Sequence, residues 1–338
     1  MGVTFALLAC GRVHMDAAHN YAFVTSTVHD PTTFGADLSG ADAICNQIAD
    51  DAGLGTGYLA YLSTSTVTAP SRIGDARGWI RVDGEPFVDR VDDLTAGRLF
   101  RPLRVDEHGD DVGTAAGPVA TGTDNGGTPT ENCGDWTNAS MVYAAGDASL
   151  TTGGWSLSTG PSCATAARLY CFGTTYDTPL AVTPASGRRA FLTVEAFVPG
   201  GGLAAADALC ASEAGLAGLS GTFLAMLPTS SATAASRFDL TGPTWVRLDG
   251  IPLAESPLAF VAGDLATSLS VTSAGSDFTT TVLTGGDPGQ LPDNTACSNW
   301  TDPTSAATGV GVADAASKLA FSIDAGACSG DSIYCLEP

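Results

Sequence analysis

Four cysteines occur twice along this chain at nearly the same spacing, and that repetition limits the possible folds more than any other feature. Cys45, Cys133, Cys163 and Cys171 are separated by 88, 30 and 8 residues, and Cys210, Cys297, Cys328 and Cys335 by 87, 31 and 7. The period of about 165 residues far exceeds the ~20–50 residues of a solenoid unit, so the chain reads as a duplicated domain. Its 338 residues suffice for two domains, each able to bury roughly two-thirds of its unfolded surface. Recurring cysteine spacings suggest disulfides, which persist in oxidising compartments. A zinc site would want C-x2-C pairs with nearby histidine; no such pair occurs, and His14, His19, His29 and His108 all lie in the first third. Four cysteines allow three pairings, and spacing alone does not choose among them.

The ninth cysteine, Cys10, stands outside both sets and follows Phe5-Ala6-Leu7-Leu8-Ala9. Leu7-Leu8-Ala9-Cys10 has the form of a bacterial lipobox, so Cys10 is the expected lipid-attachment site, and residues 1–19 a signal segment and N-terminal tail. The apolar run is shorter than a ~7–15-residue signal core and no Lys or Arg precedes it, which sets the expected start upstream of Met1. Nothing else approaches ~20 uninterrupted apolar residues. The expectation is an exported lipoprotein at the outer membrane or cell surface, or otherwise a secreted protein, touching a membrane only through its anchor. The charge agrees: 36 acidic against 14 basic residues give −22, which repels phosphate backbones and anionic headgroups and excludes nucleic acid as a partner.

The two copies run in step. Each opens on a strand-like run, Tyr21-Ala22-Phe23-Val24-Thr25 and Arg189-Ala190-Phe191-Leu192-Thr193-Val194. A helix follows, capped by Ser39 with Ala41, Ile44, Cys45, Ile48 and Ala52 at helical spacing before Gly53; its counterpart spans about 204–214, with Gly215 as the stop. Tyr58-Leu59-Ala60-Tyr61-Leu62 matches Thr222-Phe223-Leu224-Ala225-Met226-Leu227 as a strand. Trp79-Ile80-Arg81-Val82-Asp83-Gly84 matches Trp245-Val246-Arg247-Leu248-Asp249-Gly250 as a strand entering a tight turn. Each copy ends in a β-like run through its last cysteine, Arg168–Phe172 and Ser332–Leu336. Between them, residues 174–187 carry Thr, Pro and Ser with little apolar periodicity and read as a linker, giving domains at 20–173 and 188–338. With 41 glycines and only 15% charged residues, each is expected to be loop-rich around a modest core.

One helix, few strands, long loops and four cysteines in this order resemble the C-type-lectin-like fold, an α+β architecture. Within it the chain is most similar to endostatin and related bacterial secreted domains. The segments that carry the likeness are Gly40-Ala41-Asp42-Ala43-Ile44-Cys45, Gly53 to Ser63, Thr121-Gly122-Thr123-Asp124, Cys133-Gly134-Asp135-Trp136 and Tyr170-Cys171. The second copy repeats them in Ala206-Asp207-Ala208-Leu209-Cys210, Gly221 to Leu227, Thr284-Gly285, Cys297-Ser298-Asn299-Trp300 and Tyr334-Cys335. The resemblance implies two nested disulfides per domain, Cys45–Cys171 around Cys133–Cys163 and Cys210–Cys335 around Cys297–Cys328. It also marks departures. Sugar-binding members hold calcium with Glu-Pro-Asn or Gln-Pro-Asp and a Trp-Asn-Asp stretch before the third cysteine. Here Gln290-Leu291-Pro292-Asp293 is interrupted and Trp136-Thr137-Asn138 follows the second cysteine, so calcium-dependent sugar binding is not expected. Endostatin binds heparin through an arginine-rich face, and this acidic chain lacks the bases for it.

From residue 190 onward the only bases are Arg237, Arg247 and Lys318, and the two arginines match Arg72 and Arg81. Structural roles are expected for all four, with Asp83 and Asp249 or loop carbonyls as partners. Asp106, Glu107 and Asp110 form the densest run of oxygen ligands, a weak candidate for a hard cation and more simply a solvated acidic loop. The binding-loop candidates are Asp124, Asn125 and Asp287, in the glycine-rich loops before the second cysteine, with Trp136 and Trp300 as stacking platforms or, alternatively, as packing on a disulfide. Catalysis has little support: the second copy has no histidine, and no carboxylate spacing singles out a glycosidase pair. No cofactor is expected. The resulting expectation is a non-catalytic surface module binding an extracellular protein or glycan, its two domains engaging bivalently across the linker. The alternatives are a structural envelope lipoprotein with no dedicated ligand and a carboxylate-based secreted hydrolase.

Overall fold

The computed structural model describes residues 19–113, 116–292, 296–305 and 307–338. The expected lipid site Cys10 and its lipobox lie outside the described residues.

The chain folds as a mixed α+β structure in which the sequence repeat becomes a repeat of strand pairing. In the first half, β1 (Asn20–Val24) runs between a parallel neighbour, β3 (Trp79–Arg81), and an antiparallel one, β7 (Arg168–Gly173). The sheet continues to β4 (Pro86–Val88) beyond β3, while β7 also pairs with β2 (Tyr58–Ala60) and β5 (Val119–Ala120), and β6 (Ala145–Gly146) lies beyond β5. In the second half, β8 (Arg188–Leu192) is parallel to β10 (Trp245–Val246) and antiparallel to β14 (Tyr334–Leu336), which pairs in turn with β9 (Leu224–Ala225). Register repeats as well as order: Phe23 and Ala60 sit opposite Cys171, and Phe191 and Ala225 opposite Cys335. β11 (Thr281–Leu283), β12 (Thr308–Val312) and β13 (Asp324–Gly326) form a separate antiparallel sheet. The central strands are near-continuous apolar runs because both faces of the sheet are covered. In the first half Phe23, Phe34, Cys45 and Trp136 fill one side, and Val24, Tyr61, Trp79, Phe87 and Phe172 the other.

Each half has one long helix, Ser39–Asp51 and Gly202–Leu216, docked by small residues one turn apart: Ala41, Cys45 and Ala49 in one, Ala206, Cys210 and Ala214 in the other. Their ends correct the sequence reading. Ser39 is already helical; the cap position is Leu38, at φ 64, and the Asp37 carboxylate accepts from the Ser39 N–H at 3.1 Å and its hydroxyl at 2.7 Å. The second helix runs through Gly215, because an interior glycine costs only about 1 kcal/mol against alanine. The left-handed glycine beyond its end is Gly218, at φ 69. Four disulfides join Cys45 to Cys171, Cys133 to Cys163, Cys210 to Cys335 and Cys297 to Cys328, so in each half the outer bridge ties helix to terminal strand and encloses the inner one. Such bonds persist in oxidising surroundings. Among the described residues no helix is long and apolar enough to cross a membrane.

The halves are hydrogen-bonded to each other. Ala316 N–H donates to Ser149 O at 3.0 Å and Thr151 N–H to Asp314 O at 2.8 Å, an antiparallel bridge across the junction. Arg104 Nη1 reaches Ala316 O at 2.7 Å, and Arg247 Nη2 reaches Leu99 O at 3.1 Å in the opposite direction. Residues 174–187 are not a free tether: Leu180 is buried and its N–H donates to Asp89 Oδ1 at 2.7 Å, while Ala185 N–H donates to Gly250 O at 2.9 Å. A segment bonded to both halves cannot supply the independent reach that the bivalent picture required.

Burial, with a smaller push from Asp147 across the junction, raises the Asp314 carboxyl above its ordinary 3.8. The folded state therefore holds this proton more tightly than the unfolded chain does. Its contribution makes stability fall as pH rises from about 3.8 through the raised folded value, and level off above it. Asp314→Asn is expected to remove that dependence and to raise the urea midpoint at pH 7 while changing it little at pH 3. An unchanged pH profile would show that Asp314 does not carry this charge cost.

Candidate binding sites

The second cysteine of each set begins a stretch of backbone that L-residues rarely adopt. Ala296, Cys297, Ser298, Asn299 and Trp300 all have φ between 45° and 66°, and Cys133, Gly134, Asp135 and Trp136 between 55° and 60°. These are left-handed helical turns, closed by Thr137 N–H to Cys133 O and by Thr301 N–H to Cys297 O, both at 3.1 Å. At about 1–2 kcal/mol per non-glycine residue, the second-half turn stores on the order of 5 kcal/mol, which its surroundings must offset. The disulfide at Cys133 or Cys297 is one restraint. The second is the residue before the tryptophan: Asp135 accepts from Ser65 N–H at 2.6 Å and Ser65 Oγ at 2.8 Å, and Asn299 Oδ1 accepts from Ser230 N–H at 2.7 Å.

The third restraint is the tryptophan itself. Trp136 and Trp300 are fully buried in the same clusters as the disulfide cysteines, and their indole N–H groups donate to Ser63 O at 2.9 Å and Pro228 O at 2.7 Å. This corrects their candidacy as stacking platforms, since a ring with no exposed face cannot receive a sugar. Gly122 and Gly285 lie against these rings: a Cβ on either would meet the tryptophan at 2.8 or 3.2 Å, and their φ values of 58° and 74° are themselves left-handed. Trp136→Phe removes the indole donor and leaves the Ser63 carbonyl buried without it, at an expected cost of about 1–3 kcal/mol in urea unfolding. A variant as stable as the parent would show that the ring packs without anchoring the loop.

The loops beyond those glycines hold the remaining candidates. Asp124 is spent on its own turn, accepting from Gly126 N–H at 2.9 Å and Thr128 N–H at 2.7 Å, while Asn125 next to it is exposed. Asp287 is half-buried and lines a 200 Å³ cavity with Gln290, Leu291, Pro292 and Asp324. No family model matches this chain, and no curated protein does. The reading of these sites rests on their geometry.

Each arginine shared by the copies has a fixed internal partner. Arg72 Nη2 contacts both Asp42 oxygens at 2.6 and 2.7 Å and Nη1 reaches Ala60 O at 2.6 Å; Arg237 pairs with Asp207 at 2.6 Å and with Ala225 O. They tie the long helix of each half to β2 or β9. Arg81 and Arg247 pair with Asp83 and Asp249. Arg81 Nη1 also donates to Pro102 O at 3.0 Å, whereas Arg247 turns its spare nitrogens to Thr267 Oγ1 at 3.3 Å and Leu99 O across the junction.

The acidic run is neither a solvated loop nor a metal cluster. Asp106 and Glu107 are 7% and 5% exposed. Asp106 Oδ1 accepts from His108 N–H at 2.9 Å and Asp110 N–H at 3.0 Å, and Glu107 accepts from Ser26 N–H at 2.9 Å and from the Ser26 hydroxyl. Asp110 is exposed, and among the described residues no group of three or more His, Cys, Asp or Glu is placed to hold a metal ion. The second half meets the same need from another direction: Glu213, on the long helix, accepts from Val194 N–H at 3.0 Å, Glu195 N–H at 2.8 Å and Ser273 Oγ at 2.7 Å. Both carboxylates satisfy backbone donors just past the first strand, which is why two such acids are buried.

Sequence reading missed a cleft at the junction of the halves. A 440 Å³ cavity is lined from the first half by Arg81, Arg101 and Arg104 and from the second by Glu255, Asp264 and Leu265, among others. Arg98, Arg101 and Arg104 recur every three residues, which was the available signal.

Proposed function

We propose that this protein is a non-catalytic binding module of an exported, surface-anchored protein, built from two tandem C-type-lectin-like, endostatin-like domains at 20–173 and 188–338, that recognises an extracellular protein or glycan. The observation that carries the reading is the left-handed turn at the second cysteine of each set, present in both halves. Backbone strain persists only where the surroundings over-determine it, and such strain clusters at ligand-contacting segments. Here a bridge, a buried indole and a side-chain clamp from Asp135 or Asn299 all converge on it. A loop held so firmly loses little entropy on binding, which is the property a recognition loop needs.

The recognition surface in this reading is the pair of loops around Asn125 and Asp287, with Trp136 and Trp300 as their internal supports. Because the halves are hydrogen-bonded together, the loops are presented by one body, and affinity comes from simultaneous contact without slack. Calcium plays no part in it. The test is a glycan and extracellular-protein array probed with the whole chain, in parallel with an Asn125→Ala/Asp287→Ala variant. Ligands retained by the parent in chelator and lost by the variant are the expected result. An array with no ligand, or ligands bound equally by the variant, would favour a structural envelope role.

A further inference from the structure

Arg101 is buried without the partners a buried guanidinium needs. Its side chain is 8% exposed, yet among the described residues none of its nitrogens makes a well-aligned hydrogen bond. Its one ion-pair partner among the described residues, Glu85 Oε2, lies 2.9 Å from Nε but out of line with the N–H, so both atoms are left without a hydrogen bond. Close contact supplies Coulombic attraction here but not hydrogen bonding, and among the described residues the two terminal nitrogens make no hydrogen bond either. Buried polar groups are nearly always hydrogen-bonded, and a buried arginine short of acceptors calls for a specific explanation. Neighbouring arginines do not share the deficit to the same degree. Arg81 is engaged by Asp83 and Pro102 O, and Arg104 by Asp111 and Ala316 O.

We propose that the cleft between the halves binds a small organic monocarboxylate, gripped by the terminal nitrogens of Arg101. The guanidinium fork matches a carboxylate in a planar, two-bond geometry that a single water cannot reproduce. Ala266, half-buried at the wall, offers an apolar surface to the body of the ligand. The lining also sets the charge of the ligand. Asp83 and Glu85 already accompany the arginines, and Glu255 and Asp264 stand exposed at the rim, so a second negative charge on the ligand would be repelled. Phosphate and sulfate are therefore disfavoured against a singly charged carboxylate bearing hydroxyl or ammonium groups. This site shares no residue with the loops proposed above, and either can fail without the other.

The test is arginine-selective 15N NMR of the full chain, with the Arg101 Nε–H resonance assigned by its absence in Arg101→Lys. Glucuronate and alanine are the carboxylate probes, glucose the neutral control, and sulfate and phosphate the multiply charged ones. The expected result is a saturable shift of the Arg101 resonance with a carboxylate probe, none with glucose, and at least about tenfold weaker responses to sulfate and phosphate. The parent protein alone gives this readout, so it does not depend on a variant folding. An Arg101 resonance unmoved by both carboxylates would overturn the proposal and leave solvent as the occupant. A response to sulfate as strong as that to glucuronate would overturn it too.

Discussion

Replacing Cys45 and Cys171 together by alanine is expected to lower the stability of the first half by about 4–5 kcal/mol. The bridge spans 126 residues, and loop-closure entropy removed from the unfolded chain grows with the enclosed length, reaching about 4.7 kcal/mol for a 100-residue loop. Burial adds to it, since both cysteines are fully enclosed and Cys171 lies between Phe23 and Ala60 at the centre of the sheet. A typical domain is stable by only ~5–15 kcal/mol, so the loss is a large fraction of the total. The inner bridge, Cys133–Cys163, encloses a shorter loop with a separation of 30 and is worth about 3–4 kcal/mol on the same argument. Its removal has an added local effect, because the left-handed turn at Cys133 to Trp136 loses a restraint. Urea unfolding followed by tryptophan fluorescence checks both. A loss for the outer bridge no larger than that for the inner one would contradict the entropic ordering.

Arg247→Met is expected to cost about 3–5 kcal/mol and to split the unfolding of the protein into two transitions. Arg247 is 2% exposed and engages Asp249, Thr267 and the Leu99 carbonyl of the opposite half. Removing Arg247 leaves the Thr267 hydroxyl and the Leu99 carbonyl without their buried partner and Asp249, a third exposed, without its counter-charge, and the penalty exceeds the net value of the pair itself. Asp277 would suffer as well: burial already raises its carboxyl, and Arg247 is the main charge opposing that shift. The Leu99 contact is one of several hydrogen bonds that join the halves, beside Ala316–Ser149, Thr151–Asp314, Arg104–Ala316 and Thr267–Phe100, so its loss weakens their coupling and favours separate unfolding. Differential scanning calorimetry is the check. A single transition at an unchanged temperature would show that Arg247 neither stabilises its own half nor links it to the first.

What could be read in advance follows from what leaves a local trace. Cysteine spacing, the Trp-x-Arg-x-Asp-Gly repeat and the strand runs through Cys171 and Cys335 are short-range patterns, and they mark the central strands well. Likewise Arg81 and Asp83 are two residues apart, and their pairing was legible for that reason. Helix ends were less so, because Gly215 resembles a stop and Ser39 a cap until tertiary packing decides. The left-handed turns were illegible by propensity: among their residues only Gly134, and to a lesser degree Asn299 and Asp135, favour that conformation. The repeated Cys-x-[Asp/Asn]-Trp was the trace they left; of the two readings weighed for its tryptophan, packing on the disulfide is the one the buried rings fit, and the clamp on the backbone was not read. The burial of Glu107 depends on Ser26, some eighty positions away in sequence, and no local rule reaches that far. The cleft around Arg101 depends on how the two halves meet, which composition does not encode.

The most direct measurement is non-reducing peptide mass mapping of the whole chain expressed into an oxidising compartment. The expected result is four bridges, Cys45–Cys171, Cys133–Cys163, Cys210–Cys335 and Cys297–Cys328, with none between the halves. Free thiols at these positions, or cysteines paired across the two copies, would contradict a duplicated disulfide framework and with it the rigid-loop binding module.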